Sequence, residues 1–262
     1  MKTISKIFFA ALSIMMPWVA TQAQEENIMV SNAMKYVGTP YVAGTLDTDR
    51  AEELVINADE VDCTTLVEYV LAESLTPKMA NGDISETAFA ENLQKIRYRQ
   101  GYIDGYTSRL HYITDWIDNG VRMGFLEDVT AANSTKTLTT NLNYMTTHKE
   151  AYKILANSPR NVEKMRKIEK ELSGKRVNYL PKSEVKAEGL NWIKDGDIIA
   201  ITTSTPGLDV CHMGIALYID KKLTLIHASQ SDKKVVVNKT VLAHMLDSHD
   251  NWTGIRVVRM KK

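Results

Sequence analysis

The chain has 262 residues, 44% of them hydrophobic and 24% charged, which is enough to bury a substantial core. Its 32 basic residues balance its 32 acidic ones, so total charge gives no reason to expect nucleic acid or an anionic membrane as partner. Two cysteines, Cys63 and Cys211, are too few for a disulfide-built scaffold but would allow one bridge.

The first segment reads as a secretory signal peptide over residues 1–23. Lys2 and Lys6 precede an apolar run over 7–20, and Thr21-Gln22-Ala23 follows as a small-residue cleavage site. The run is too short for a membrane span, and no cysteine follows it to carry a lipid. The mature chain, 24–262, is therefore expected to be exported, periplasmic or secreted, with no stable membrane insertion. It keeps 30 basic against 32 acidic residues.

The spacing next predicts a short amphipathic helix over 26–37, followed by the turn-rich Gly38-Thr39-Pro40-Tyr41-Val42-Ala43-Gly44. In Val61-Asp62-Cys63-Thr64-Thr65, Cys63 opens a helix with one buried face. Leu66, Val67, Val70 and Leu71 fall at helical spacing from it, Asp62 is placed to cap, and Pro77 stops the run. A cysteine in a first turn lies where free N–H groups and the helix dipole favour a thiolate. The same residue type also packs commonly as a small hydrophobe.

A helix over 85–97 carries Phe89, Leu93 and Ile96 on one stripe, Gly101 and Gly105 bracket a loop, and residues 108–117 can begin another helix. Residues 130–147, rich in Thr and Asn, read as an irregular surface segment with room for a short strand. Ser158-Pro159 starts a charged helix over 160–172, with Val162, Met165, Ile168 and Leu172 toward the core and Glu169 interrupting that stripe. Strands follow over 197–202, 211–219, 223–228, 234–237 and 255–260. No repeat or linker divides the chain, so these elements describe one α+β domain with the cysteine helix on an antiparallel sheet.

Alternation in Cys211-His212-Met213-Gly214-Ile215-Ala216-Leu217-Tyr218-Ile219 sends Met213, Ile215, Leu217 and Ile219 to one face. His212, Gly214 and Ala216 share the other, small enough for a helix end to approach, so a base could meet the thiol there. A third polar group, needed to orient the imidazole, is sought in Leu225-Ile226-His227-Ala228-Ser229. With an even-length turn after Ile219, His227 and Ser229 share the face of His212; with a three-residue turn Gln230 takes their place. His227 ranks first and Ser229 second, although Ser229 lies nearer without a bulge. The histidines show no zinc-ligand spacing and no phosphate loop is present, so no metal or cofactor is expected.

Asp62-Cys63-Thr64, Gly196-Asp197-Ile198, His212-Met213-Gly214-Ile215 and Ile226-His227-Ala228-Ser229 occur in an order that resembles the NlpC-like superfamily of bacterial cell-wall cysteine hydrolases. The resemblance implies a papain-like core with Cys63 as nucleophile, His212 as general base and His227 as the orienting member. Gly38-Thr39-Pro40-Tyr41 is similar to the superfamily's loop before the cysteine, which implies that Tyr41 lines the site. The chain departs from the usual pattern at Val42-Ala43-Gly44 and Thr64-Thr65, and carries an insertion at about 78–190 within a single catalytic domain.

These departures resemble the N-acetylmuramoyl-L-alanine amidase-like branch, whose insert pattern is matched by Arg109, His111, Tyr112, Asp115 and Trp116. Read physically, the insert could stack a sugar on Trp116 and hold a carboxylate with Arg109, with His111 and Asp115, or Tyr112 and Trp116, four apart on a helix. The alternative makes Tyr112 and Trp116 core and His111 with Asp115 a surface pair. The resemblance implies a monomeric cysteine amidase acting on peptidoglycan fragments (muropeptides). Two alternatives stay open: an endopeptidase cutting the stem peptide, and a non-catalytic wall-binding protein with a Cys63–Cys211 disulfide.

Overall fold

The structure is a computed structural model that describes residues 27–47 and 51–261, so the signal segment lies outside the described residues. Helix α1 (Ile28–Lys35) is capped by Asn27, whose side chain accepts from the Met29 and Val30 N–H groups. Helix α2 (Cys63–Leu75) begins in a capping box: Asp62 Oδ1 accepts from the Thr64 N–H at 3.0 Å and the Thr65 N–H at 2.8 Å. In return the Asp62 N–H donates to Thr65 Oγ1 at 2.8 Å. Helices α3 (Glu86–Arg97), capped by Ser85, and α4 (Ile113–Arg122) follow.

Helix α2 is more enclosed than its sequence predicts. Residues 65–72 are all buried, because α1 and α3 pack on it while the sheet covers its inner side. A single apolar stripe is therefore the wrong picture: Glu68 on this helix is buried as well, against Arg97 of α3.

The segment expected as an insertion continues through β1 (Leu126–Asp128), α5 (Val129–Asn133), β2 (Thr137–Thr139), α6 (Tyr144–Thr147), α7 (Lys153–Ala156) and α8 (Pro159–Leu172). Strands β3 (Arg176–Asn178) and β4 (Leu180–Pro181) end it. It is not an appendage. Leu93, Ile96, Trp116 and Ile117 join the core around α2, and β1 and β4 both pair with the main sheet. A further core gathers Tyr106, Tyr112, Met145, Leu155, Met165 and Leu172. Glu169, which interrupts the α8 stripe, is buried there as an acceptor, taking the Tyr112 hydroxyl at 2.7 Å and the Thr146 N–H at 3.1 Å.

The main sheet adds β5 (Ile198–Thr203), β6 (Val210–Ile219), β7 (Lys222–Ser229), β8 (Lys234–Val237) and, after α9 (Leu242–Asp247), β9 (Trp252–Met260). Its antiparallel strands run β1-β9-β5-β6-β7-β8, with β4 also on β9. Helix α2 and its neighbours cover Met213, Ile215, Ile226 and Ala228 on one face; α9, Ile193 and Trp252 cover Ala216, Leu223 and Leu225 on the other. The β6–β7 turn is the two-residue Asp220-Lys221, both in the left-handed region at φ 49° and 63°, as a primed hairpin turn requires.

Arg97 and Glu68 expose only 1% and 3% of their side chains, and Nε meets the carboxylate at 2.7 Å. Arg97→Met, which strands the carboxylate, is expected to lower unfolding stability in urea by about 3–5 kcal/mol, and Glu68→Leu with Arg97→Met to recover most of it. A loss no larger than that of an exposed pair, under about 1 kcal/mol, would contradict this account.

Candidate active site

The site forms where β6 and β7 part. Their ladder runs from Ile219↔Lys222 to Ile215↔Ile226 and stops, although β6 begins at Val210 and β7 continues to Ser229 on β8. Extending the register sets Gly214 opposite His227, whose Cβ lies 3.1 Å from where a side chain at 214 would begin. Glycine at 214 thus makes room for His227. It does not admit the helix end, as the small-residue face suggested: α2 lies on the opposite, Met213/Ile215 face.

Cys63 sits at the start of α2, and the backbone N–H of Met213, the residue after His212, favours its thiolate form. Tyr41 lies near enough for Cys63 and Asp62 to raise its pKa, behind burial as the larger cause. The loop carrying Tyr41 is stitched on both sides, Tyr41 N–H donating to Lys233 O and Val42 N–H to Val61 O, at 2.9 and 3.0 Å. His212 Nε2 and His227 Nδ1 are 2.8 Å apart, with the rings nearly perpendicular. No hydrogen bond joins Cys63 to His212 among the described residues; Cys63 meets the backbone of Met213, the next residue in the chain after His212.

The two-residue turn gives His227 the face expected of it, and of the two candidates it is His227 that bonds His212. Ser229 is engaged elsewhere, donating to Asp232 Oδ2 at 2.6 Å and accepting from the Asp232 N–H at 3.1 Å. Two residues escaped sequence reading. Trp252 stacks on His212 at 5.8 Å, and His249 stacks on the outer side of Trp252 at 3.8 Å. They lie some 40 positions along the chain from His212 with no shared motif, so only the sheet order brings them together.

The electrostatics oppose the thiolate expected from helix position. Burial, then the Asp62 carboxylate, push the Cys63 thiol up to about 12 against the help of Met213 and Thr64. The cap explains the second cause: the Thr64 and Thr65 N–H groups hold the Asp62 carboxylate beside the start of the helix. Burial, with His227 and His249 adding, lowers His212 to about 3. The resting pair is therefore a thiol and a neutral imidazole. The Cys63 N–H has no acceptor among the described residues. Cys63 and Cys211 are both free thiols, so no disulfide joins them, and no group of three or more metal-ligating side chains occurs among the described residues.

The insert residues belong to the scaffold. Arg109 donates Nε and Nη2 to Glu52, both at 2.9 Å, Nη1 to Asp47 at 3.0 Å and Nη2 to Leu46 O at 3.1 Å, so its fork is already filled. Tyr112 and Trp116 are core, 2% and 1% exposed. Helix α4 starts only at Ile113, which removes the four-residue pairing read for His111 and Asp115. His111 Nε2 instead meets Tyr106 O at 2.9 Å, and buried Asp115 pairs with Arg99. Arg109 also borders a pocket with Leu46, Glu52, Tyr106 and Asn161, and the buried Trp116 Nε1–H has no hydrogen-bond partner among the described residues.

Two titration measurements test this description. With Cys211→Ala, iodoacetamide alkylation of Cys63 is expected to keep accelerating through pH 9; a plateau below pH 8 would contradict a raised thiol pKa. His212 is depressed in the folded state, so its contribution to stability is present above about 6.5 and is lost as pH falls toward about 3. Its replacement by Asn is expected to remove about one proton from the acid-unfolding slope in that window.

Comparison with known proteins agrees with this architecture. Residues 31–255 match the AmiA-like family, described as N-acetylmuramoyl-L-alanine amidase-like. The crystal structure of an N-acetylmuramoyl-L-alanine amidase from Bacteroides uniformis is 69% identical, with TM-score 0.89, over 89% of this chain and 99% of that one. A Bacteroides fragilis protein named as a candidate xylanase is 60% identical, with TM-score 0.86, over 88% of this chain and all of that one (100%). A Legionella pneumophila protein, 24% identical with TM-score 0.67 over 90% of this chain and 88% of its own, shares the fold. No curated protein matches. By the extent of the family match and the identity to these structures, the chain belongs to the AmiA-like, N-acetylmuramoyl-L-alanine amidase-like family.

Proposed function

We propose that this chain is an exported cysteine amidase with an NlpC-type, papain-like core, which hydrolyses the bond between the muramoyl lactyl group and L-alanine in peptidoglycan fragments. The observation that carries the reading is a helix-start thiol against the backbone N–H of Met213, the residue after His212, with His212 hydrogen-bonded to His227 where two strands part. Family membership and the amidase from Bacteroides uniformis supply the bond. Sequence over residues 1–23 supports export; no helix among the described residues is long and apolar enough to cross a membrane.

In this reading Cys63 Sγ attacks the amide carbonyl as its proton passes to His212 Nδ1, and the carbonyl oxygen turns to the Cys63 N–H. His212 returns the proton to the departing L-alanine nitrogen, leaving a muramoyl thioester. His212 then takes a proton from water as the water oxygen attacks the thioester, and returns it to Cys63 Sγ as the C–S bond breaks, releasing the muramoyl carboxylic acid and the free thiol. Because thiol and imidazole rest uncharged, proton transfer accompanies attack instead of preceding it. The xylanase name on one relative fits this site poorly. Glycoside cleavage uses two carboxyl groups across the bond, whereas Asp62, the acid beside Cys63, is committed to the helix cap.

Cys63→Ala keeps the backbone N–H and is expected to cut release of free peptide from a defined muramoyl-peptide by about 10⁴-fold or more, with unchanged thermal unfolding. Mass spectrometry of the products separates the lactyl amide from bonds within the stem. Undiminished turnover would sink the mechanism, and cleavage only within the peptide would replace the amidase with an endopeptidase.

A further inference from the structure

His227 is 3% exposed, and its Nε2 has no hydrogen-bond partner among the described residues. A buried imidazole nitrogen left so is costly, and the neighbouring strand offers an answer. Val236 is the cross-strand partner of His227, and the Asn238 N–H continues the ladder by donating to Leu225 O at 2.8 Å. Asn238 therefore lies on the same face as His227, at the diagonal position that longer side chains span. Its amide orientation is fixed by its surroundings: Nδ2 donates to Thr240 O and Thr240 Oγ1, both at 3.0 Å, and to Met245 Sδ at 3.3 Å. Turning the amide over would set its oxygen against a carbonyl that can only accept. Oδ1 is left without a donor among the described residues. The Asn238 side chain also raises the His227 pKa against the larger effect of burial. Asp232, the other acceptor that acts on His227, already takes the Ser229 hydroxyl.

We propose that Asn238 is a positioning residue that sets the tautomers of both imidazoles. Its Oδ1 keeps the His227 proton on Nε2, so His227 Nδ1 is a bare acceptor. At 2.8 Å from that acceptor, His212 Nε2 must carry the proton of its own ring. His212 Nδ1 is then bare, as a base facing a thiol must be. With the opposite tautomer His227 would donate to His212 Nε2, moving the His212 proton to Nδ1 and blocking proton uptake. This assignment rests on the reading of Cys63 and His212 given above.

The test is nitrogen-15 NMR of the histidine rings, without substrate, in the wild type and Asn238→Ala, alongside steady-state kinetics and melting of each. Both His212 and His227 are expected to carry the proton on Nε2 in the wild type. Asn238→Ala is expected to lose that state and about 10-fold or more in kcat with little change in KM. A wild-type His227 protonated on Nδ1 would overturn the proposal, as would Asn238→Ala with unaltered tautomers and kcat. Turnover surviving Cys63→Ala would overturn the functional reading alone, since the ring spectra are recorded without substrate.

Discussion

The parting of β6 and β7 beyond the Ile215–Ile226 pair is the constraint on which the rest of the site depends. Backbone groups of two separating strands lose each other as partners, and buried ones must find others. Here the Met213 N–H turns to Cys63, and β7 keeps its ladder with β8. Side chains bridge what the backbone gives up, with His212 and His227 meeting across the gap.

The same burial that assembles the site sets its charge state. A neutral thiol and a neutral imidazole avoid the desolvation that an ion pair would incur. The Asp62 cap reinforces this choice, holding a negative charge close to the sulfur while securing the helix start. Stability of α2 and acidity of its first residue are thus opposed, and the cap favours stability.

Much of this frame is legible in the amino-acid order. Asp62 before an apolar periodicity gives α2 its start, and alternation gives β5 to β9 within a few residues. Turn parity gives His227 its face. Strands β1, β3 and β4, of three residues or fewer, have no periodicity to detect, and α9 is hidden in a short, mixed segment. Trp252 and Asn238 acquire their roles only from sheet order and cross-strand diagonals. The insert motif points to the family that residues 31–255 match, but the place of its side chains is not legible in it: Arg109, Tyr112 and Trp116 are residue types that serve ligands and cores alike, and burial and filled donors show where they sit.

Strand β9 has a consequence of another kind. Later in the chain than every other strand of the sheet, it lies between β5 on one side and β1 and β4 on the other. The earlier strands cannot close into one sheet until it arrives, and pairing β9 with β1 joins residues more than a hundred positions apart. Sheet closure is therefore a late, non-local event, and such topologies fold slowly. During synthesis β5 keeps an unpaired edge until β9 emerges, which makes that interval the period of greatest exposure to aggregation and proteolysis.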